Sequence, residues 1–146
     1  MKRALLVAAA AMIMTGGATG AANAATPIRL ATTTSVTGEN DKGQVVGTYE
    51  PQGATVAHGF VWQSGKLTDL GTANPVAIND AGQIIAYKWV ADNQIGLVLD
   101  HGKTITLKPT SGTSCDPAVI SDTGLVAGTT NNNMSSATVW QRPAGD

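Results

Sequence analysis

Three segments of the chain align on one pattern: Gly38-Glu39-Asn40-Asp41-Lys42-Gly43-Gln44-Val45-Val46-Gly47, Ala77-Ile78-Asn79-Asp80-Ala81-Gly82-Gln83-Ile84-Ile85-Ala86 and Val119-Ile120-Ser121-Asp122-Thr123-Gly124-Leu125-Val126-Ala127-Gly128. Their shared centre is Asn/Ser-Asp-x-Gly followed by apolar residues and a small one. Asp41, Asp80 and Asp122 are 39 and 42 residues apart. A second landmark follows each centre: Gly59-Phe60-Val61-Trp62, Gly96-Leu97-Val98-Leu99 and Ala137-Thr138-Val139-Trp140. In the first two copies a third landmark stays in step, as Ser64-Gly65-Lys66-Leu67-Thr68-Asp69-Leu70 and His101-Gly102-Lys103-Thr104-Ile105-Thr106-Leu107. A period of this length means that one supersecondary unit recurs, and the units bury one another's apolar faces.

Each unit reads as four short strands. Val76–Ile78 enters the Asn-Asp-x-Gly turn and Gln83–Lys88 leaves it, with Ile95–Leu99 and Lys103–Leu107 after it. The turn chemistry explains the first hairpin. Asn and Asp accept the type I bend, and the glycine takes the left-handed position of the bulge that follows. β-Branched residues dominate, and no stretch after residue 25 keeps a helical period. The expectation is an all-β domain of three four-stranded units, spanning about 36–74, 75–115 and 116–142. The third copy stops at Trp140-Gln141-Arg142-Pro143 without a fourth strand, while Pro27-Ile28-Arg29-Leu30 is a strand without a unit. Leu30 precedes Asp41 by 11 residues and Leu70 precedes Asp80 by 10, so residues 27–31 are expected to close the third unit. Four-stranded units of this size describe propeller-like blades, in an open arc or completed by oligomerisation. A β-trefoil, with three units of four strands, is the alternative.

The chain opens with Met1-Lys2-Arg3, an uncharged apolar run over Ala4–Met14 and a small-residue end, Ala22-Asn23-Ala24. These are the parts of a secretory signal peptide. The reading is a Sec-type signal over residues 1–24, cut after Ala24, and a single secreted or periplasmic domain over 25–146. The apolar run is 11 residues, far short of a membrane span. Removing 1–24 takes away Lys2 and Arg3 and no acid. That leaves 7 Lys+Arg against 10 Asp+Glu, a formal charge of −3 with no basic run. Nucleic acid is therefore not an expected partner. The one cysteine, Cys115, excludes an intramolecular disulfide framework and reads as a small buried residue.

At this point the segments resemble the HAF-type extracellular repeats, a bacterial family. Its pattern runs Ile-Asn-Asp-x-Gly-Gln-Val-Val-Gly, then His-Ala-Phe-x-Trp, then Gly and a Leu-Gly pair. Ile78-Asn79-Asp80-Ala81-Gly82-Gln83 matches the first part, His58-Gly59-Phe60-Val61-Trp62 the second with Gly for Ala, and Asp69-Leu70-Gly71 the last. The resemblance covers nearly all of 36–140. The second unit departs at Ile95-Gly96-Leu97 and the third at Ser136-Ala137-Thr138, so the His of the pattern recurs in neither. The resemblance implies a secreted repeat protein and assigns no activity.

Few residues suggest chemistry. Asp41, Asp80 and Asp122 offer one carboxylate per turn, whereas a calcium loop concentrates several oxygen ligands. With Gly43, Gly82 and Gly124 they read as turn residues. His58 and His101 have no Cys or carboxylate beside them at metal spacing, so no metal or cofactor is expected. No nucleophile elbow or phosphate loop occurs. Asp69, Asp92, Asp100 and Asp116 are the loose candidates for a paired-carboxylate hydrolase. Phe60 reads as core, and so do Trp62 and Trp140, because Leu99 stands at the matching place of the second unit. Tyr87 and Trp89 break the repeat where the other units carry Thr48 and Thr129, and Glu50 and Asn131. Aromatics at polar positions mark a surface for sugar rings or a partner. The preferred function is a non-catalytic secreted module that binds a glycan or an envelope protein. A glycan-active hydrolase and a self-assembling structural repeat, a homo-oligomer, are the alternatives.

Overall fold

The computed structural model describes residues 25–30, 34–131 and 135–141. The signal reading for 1–24 lies outside the described residues. Each repeat begins with a hairpin closed by its Asn-Asp-x-Gly turn. In the second unit the Asn79 N–H donates to Gln83 O at 3.0 Å and the Gly82 N–H to Asn79 O at 3.0 Å. The Asn79 side chain completes the turn by accepting from Gln83 N–H at 2.8 Å and donating to Gln83 Oε1 at 2.8 Å. Asn40 does the same with Gln44. In the third unit Ser121 Oγ takes over the acceptor role, toward Leu125 N–H at 3.0 Å. Gly43, Gly82 and Gly124 stand at φ +73°, +79° and +84°, which only a residue without Cβ adopts at little cost. Three two-residue hairpin turns put both residues at positive φ: Ser64-Gly65, Ala91-Asp92 and His101-Gly102. That is the type I′ geometry that matches the twist of a two-residue hairpin.

The strands are β1 (Thr34–Glu39), β2 (Val45–Tyr49), β3 (His58–Gln63), β4 (Lys66–Asp69), β5 (Asn74–Ile78), β6 (Ile84–Val90), β7 (Asn93–Asp100), β8 (Lys103–Thr106), β9 (Ser114–Ile120), β10 (Val126–Asn131) and β11 (Ser135–Trp140). They form three antiparallel meanders in the orders β1-β2-β3-β4, β5-β6-β7-β8 and β9-β10-β11. No helix occurs among the described residues, so none is long and apolar enough to cross a membrane. Every ladder stays within one unit and no sheet closes into a barrel. Three open antiparallel sheets, one per unit, are consistent with the propeller-like arrangement and with the trefoil alternative.

The sheets stack face to face in chain order. β5 packs on β1, β2 and β3, and β9 packs on β5, β6 and β7. Alternation gives each strand two faces, and the core lies in the two interfaces between successive sheets. Between the first and second sheets Val46 meets Ile78 and Ile84, with Val61, Leu70 and Leu99 around them. Between the second and third, Ile85, Val98 and Leu107 meet Cys115 and Val126. The approach is closest where the first strand of one unit crosses a glycine of the unit before. A Cβ on Gly59 would lie 2.3 Å from Ala73 O and 2.8 Å from Pro75 Cδ. On Gly96 it would lie 3.0 Å from Cys115 Cβ and 3.3 Å from Pro117 Cδ. The matching residue of the last unit is Ala137, which is exposed.

One expectation is corrected. Residues 25–30 form no strand, Ala31 lies outside the described residues, and among the described residues β11 pairs only with β10. The closing strand placed at 27–31 is thus not formed within its described part. The reason is the stacking order. The segment leads into β1 on the first sheet, whereas β11 belongs to the third, with the whole second sheet between them. Ile28 is left 47% exposed.

Candidate functional site

β7, at eight residues, is the longest described strand, and its hairpin with β6 carries the candidate surface. Tyr87 and Trp89 alternate onto one side of β6. Their cross-strand partners on β7 are Gly96 and Gln94. This is the side that faces the third sheet, since Gly96 is the residue crossed by Cys115 and Pro117. Tyr87 is half-buried there. Trp89, two residues further along β6, is 62% exposed, with Val90 exposed beside it. Gln94 is fixed opposite the Trp89 ring: its N–H donates to Ser114 Oγ at 3.3 Å and its Nε2 to Asp116 Oδ1 at 3.0 Å. Thr113 Oγ1 donates to Asn93 Oδ1 at 2.6 Å and ties the same hairpin to β9. Trp89 thus stands cross-strand from an amide that is itself bonded to a carboxylate. The turn beyond it holds Ala91 at φ +47° and Asp92 at φ +66°.

The four residues read as core differ in depth. Phe60 is fully buried, with Tyr49 edge-on at 6.0 Å between ring centroids, whereas Trp62, Leu99 and Trp140 are half-buried. Trp140 Nε1 donates to Lys108 O at 2.7 Å. The matching indole N–H of Trp62 is buried and has no acceptor, alone among the buried side-chain polar atoms described. A cavity of about 320 Å³ opens between the second and third sheets, with Ile105 and Leu107 on one wall and Val126 and Trp140 on the other.

The turn aspartates act between units. The Asp41 N–H donates to Asp80 Oδ1 at 2.8 Å, and the Asp80 N–H donates to Asp122 Oδ1 at 3.0 Å. In parallel, Asn40 Nδ2 donates to Asn79 O and Asn79 Nδ2 to Ser121 O, both at 2.9 Å. Each turn is therefore bonded to its counterpart in the following unit by the same two atoms.

A polar cluster on the first sheet has no counterpart in the expectations. Asp69 at the end of β4 accepts from Tyr49 Oη at 2.5 Å and from the Gly71 N–H at 2.6 Å, and it meets His58 Nδ1 at 2.9 Å. The register Tyr49↔His58 of β2 and β3 supplies the two partners. Partial burial works against the Asp69 carboxylate, but the bonds from Tyr49, Gly71 and His58 outweigh it and hold its pKa below the usual value. Tyr49 is pushed from 10.0 up to about 12 by burial, by its bond to Asp69 and by that carboxylate's charge. The folded state therefore keeps the phenol proton longer than the unfolded chain. Its contribution to stability is complete below pH 10 and is lost as pH rises from about 10 to about 12. Ultraviolet titration is expected to place Tyr49 near 12, and Asp69→Asn to move it back down. A Tyr49 that titrates near 10 in both proteins would remove the bond to Asp69 from the account.

The other titratable candidates stand apart. His101 bonds Asp100 at 2.6 Å at the tip of β7–β8, Asp116 is held by Gln94, and Asp92 lies in the β6–β7 turn. Cys115 is buried, its Sγ donates to Leu107 O at 3.3 Å, and burial raises its pKa. Among the described residues no three His, Cys, Asp or Glu side chains converge, and His58 bonds no hydroxyl or thiol nucleophile. Comparison with family models, with curated proteins and with solved structures returned no match.

Proposed function

We propose that the chain is an exported, non-catalytic repeat module, of the bacterial HAF type by its motifs, that binds a sugar-bearing polymer of the cell envelope at the Tyr87–Trp89 ledge. The observation that carries this reading is Trp89. It is 62% exposed at a position where the first and third units place Glu50 and Asn131, so the fold does not need an aromatic there. An indole face gains by covering the C–H face of a sugar, and the neighbouring Gln94 and Asp116 suit its hydroxyls. A pair of ordered polar groups beside one aromatic plane fits this chemistry better than a wholly apolar partner.

Trp89→Ala is expected to change stability by less than about 0.5 kcal/mol, the range of an exposed substitution away from structural features. It is expected to weaken binding by roughly tenfold, on the scale of a lost aromatic contact. Thermal melting followed by a screen against glycans and envelope polymers checks both. A variant that binds as the parent does, or a parent that binds none of them, refutes the reading. A variant that loses several kcal/mol would show instead that Trp89 is a packing residue.

A further inference from the structure

The two internal junctions of the stack are built alike, and the two ends of the stack carry the two halves of a third. At each junction a turn N–H donates to the next unit's aspartate. At the ends, the Asp41 carboxylate accepts no hydrogen bond and the Asp122 N–H donates none among the described residues. At each junction the first strand of the later unit lays a proline, Pro75 or Pro117, on the earlier sheet, and both are buried. Val36 holds the matching place on β1, opposite Gly47 as Pro75 is opposite Ala86, and it is 61% exposed. Val61 and Val98 face the following unit and are covered. Their counterpart Val139 is 59% exposed, and Ala137 and Leu125 are open beside it.

The missing strand fits the same pattern. In the first two units the fourth strand continues past its ladder through Leu70 N–H to Gly59 O at 2.8 Å and Leu107 N–H to Gly96 O at 2.9 Å. Among the described residues β11 is the unpaired edge of the third sheet, and the 320 Å³ cavity opens beside it between Leu107 and Trp140, where a fourth strand would place a side chain. Such an edge is a template for another strand. Leu30 stands before Asp41 as Leu70 stands before Asp80, and the segment it ends is unpaired in the described structure.

We propose that a second copy of this chain continues the stack head to tail. Its residues Pro27–Leu30 pair with β11, with Leu30 N–H donating to Ala137 O. Its Val36 covers Ala137 and Val139, and its Asp41 carboxylate accepts the Asp122 N–H. The same contact made in the other direction closes two copies into a ring with two-fold symmetry, leaving no free sheet face. This contact is independent of the Trp89 ledge. It is also weaker than the internal junctions, because Glu39 stands where the other units carry Ile78 and Ile120.

The test is the mass in solution, by light scattering over a range of concentrations, of the full protein as purified from the expressing cell. The expected mass is twice that of the chain. Ile28→Asp and Val139→Asp change exposed residues and are expected to weaken association roughly 100-fold, because each buries an unpaired carboxylate in the contact. Asp41→Ala, which removes a carboxylate that accepts no hydrogen bond among the described residues, is expected to weaken it roughly tenfold. Glu39→Ile is expected to strengthen it, and Trp89→Ala to leave it unchanged. Circular dichroism establishes that each variant keeps its sheet content. A protein that stays monomeric up to millimolar concentration overturns the proposal, as does a dimer that neither Ile28→Asp nor Val139→Asp dissociates.

Discussion

Phe60→Ala is expected to cost about 3–5 kcal/mol, the largest loss of any single truncation in the chain. Phe60 is the largest side chain with no exposure at all. Its removal would strip the support from Tyr49, which stands edge-on to its ring. The adjacent Trp62 makes the useful contrast. It is larger but half-buried, and its indole N–H is buried with no acceptor, which already subtracts from what its burial contributes. Trp62→Ala is therefore expected to cost less than Phe60→Ala, despite removing more atoms. Denaturant unfolding of the two variants checks the order. The reverse order would mean that the sheet edge around Trp62, and not the row through Phe60, anchors the first unit.

Gly59→Ala is the second large effect, expected at about 2–3 kcal/mol. Overpacking normally finds some relief by moving side chains. Here the obstruction at 2.3 Å is the Ala73 carbonyl oxygen, and Pro75 blocks the other direction at 2.8 Å. Relief requires moving the second sheet away from the first. Gly96→Ala at the equivalent place meets only side-chain atoms at 3.0 Å and beyond, and is expected to cost about 1 kcal/mol. Equal losses at the two sites would show that the two junctions are looser than their contacts imply.

The architecture was legible because its determinants are local. An Asn-Asp-x-Gly turn with β-branched residues on both sides specifies a hairpin whatever surrounds it, and three copies in step specify like units. The register of those units was not legible in the same way. Asp41, Asp80 and Asp122 could be read as turn residues, but their bonds link residues 39 and 42 apart, which only the stacking of sheets brings together. The cluster of Tyr49, His58 and Asp69 was missed for the same reason. It exists because β2, β3 and β4 align Tyr49 with His58 and end at Asp69. A hairpin register written out from the type I′ turn at Ser64-Gly65 would have set Asp69 opposite Phe60, two residues from His58. The replacement of Trp62 and Trp140 by Leu99 correctly signalled an apolar neighbourhood. It carried no information about depth, since a half-covered sheet face accepts either side chain.

The bonds between successive turns have a consequence for how such a chain can change its length. Each turn presents the same acceptor backwards and the same donor forwards, so a junction is specified by a unit's own residues and not by its place in the series. A tandem duplication of the stretch from Asn40 to Ile78 would meet its new neighbours through contacts the protein already makes, and no central core would have to be redesigned around the insertion. Gene duplication and loss can then alter the count of units by whole steps while each intermediate still folds. Ser121 lacks the side-chain amide of Asn40 and Asn79, so the third turn offers a following unit the Asp122 N–H without that second bond.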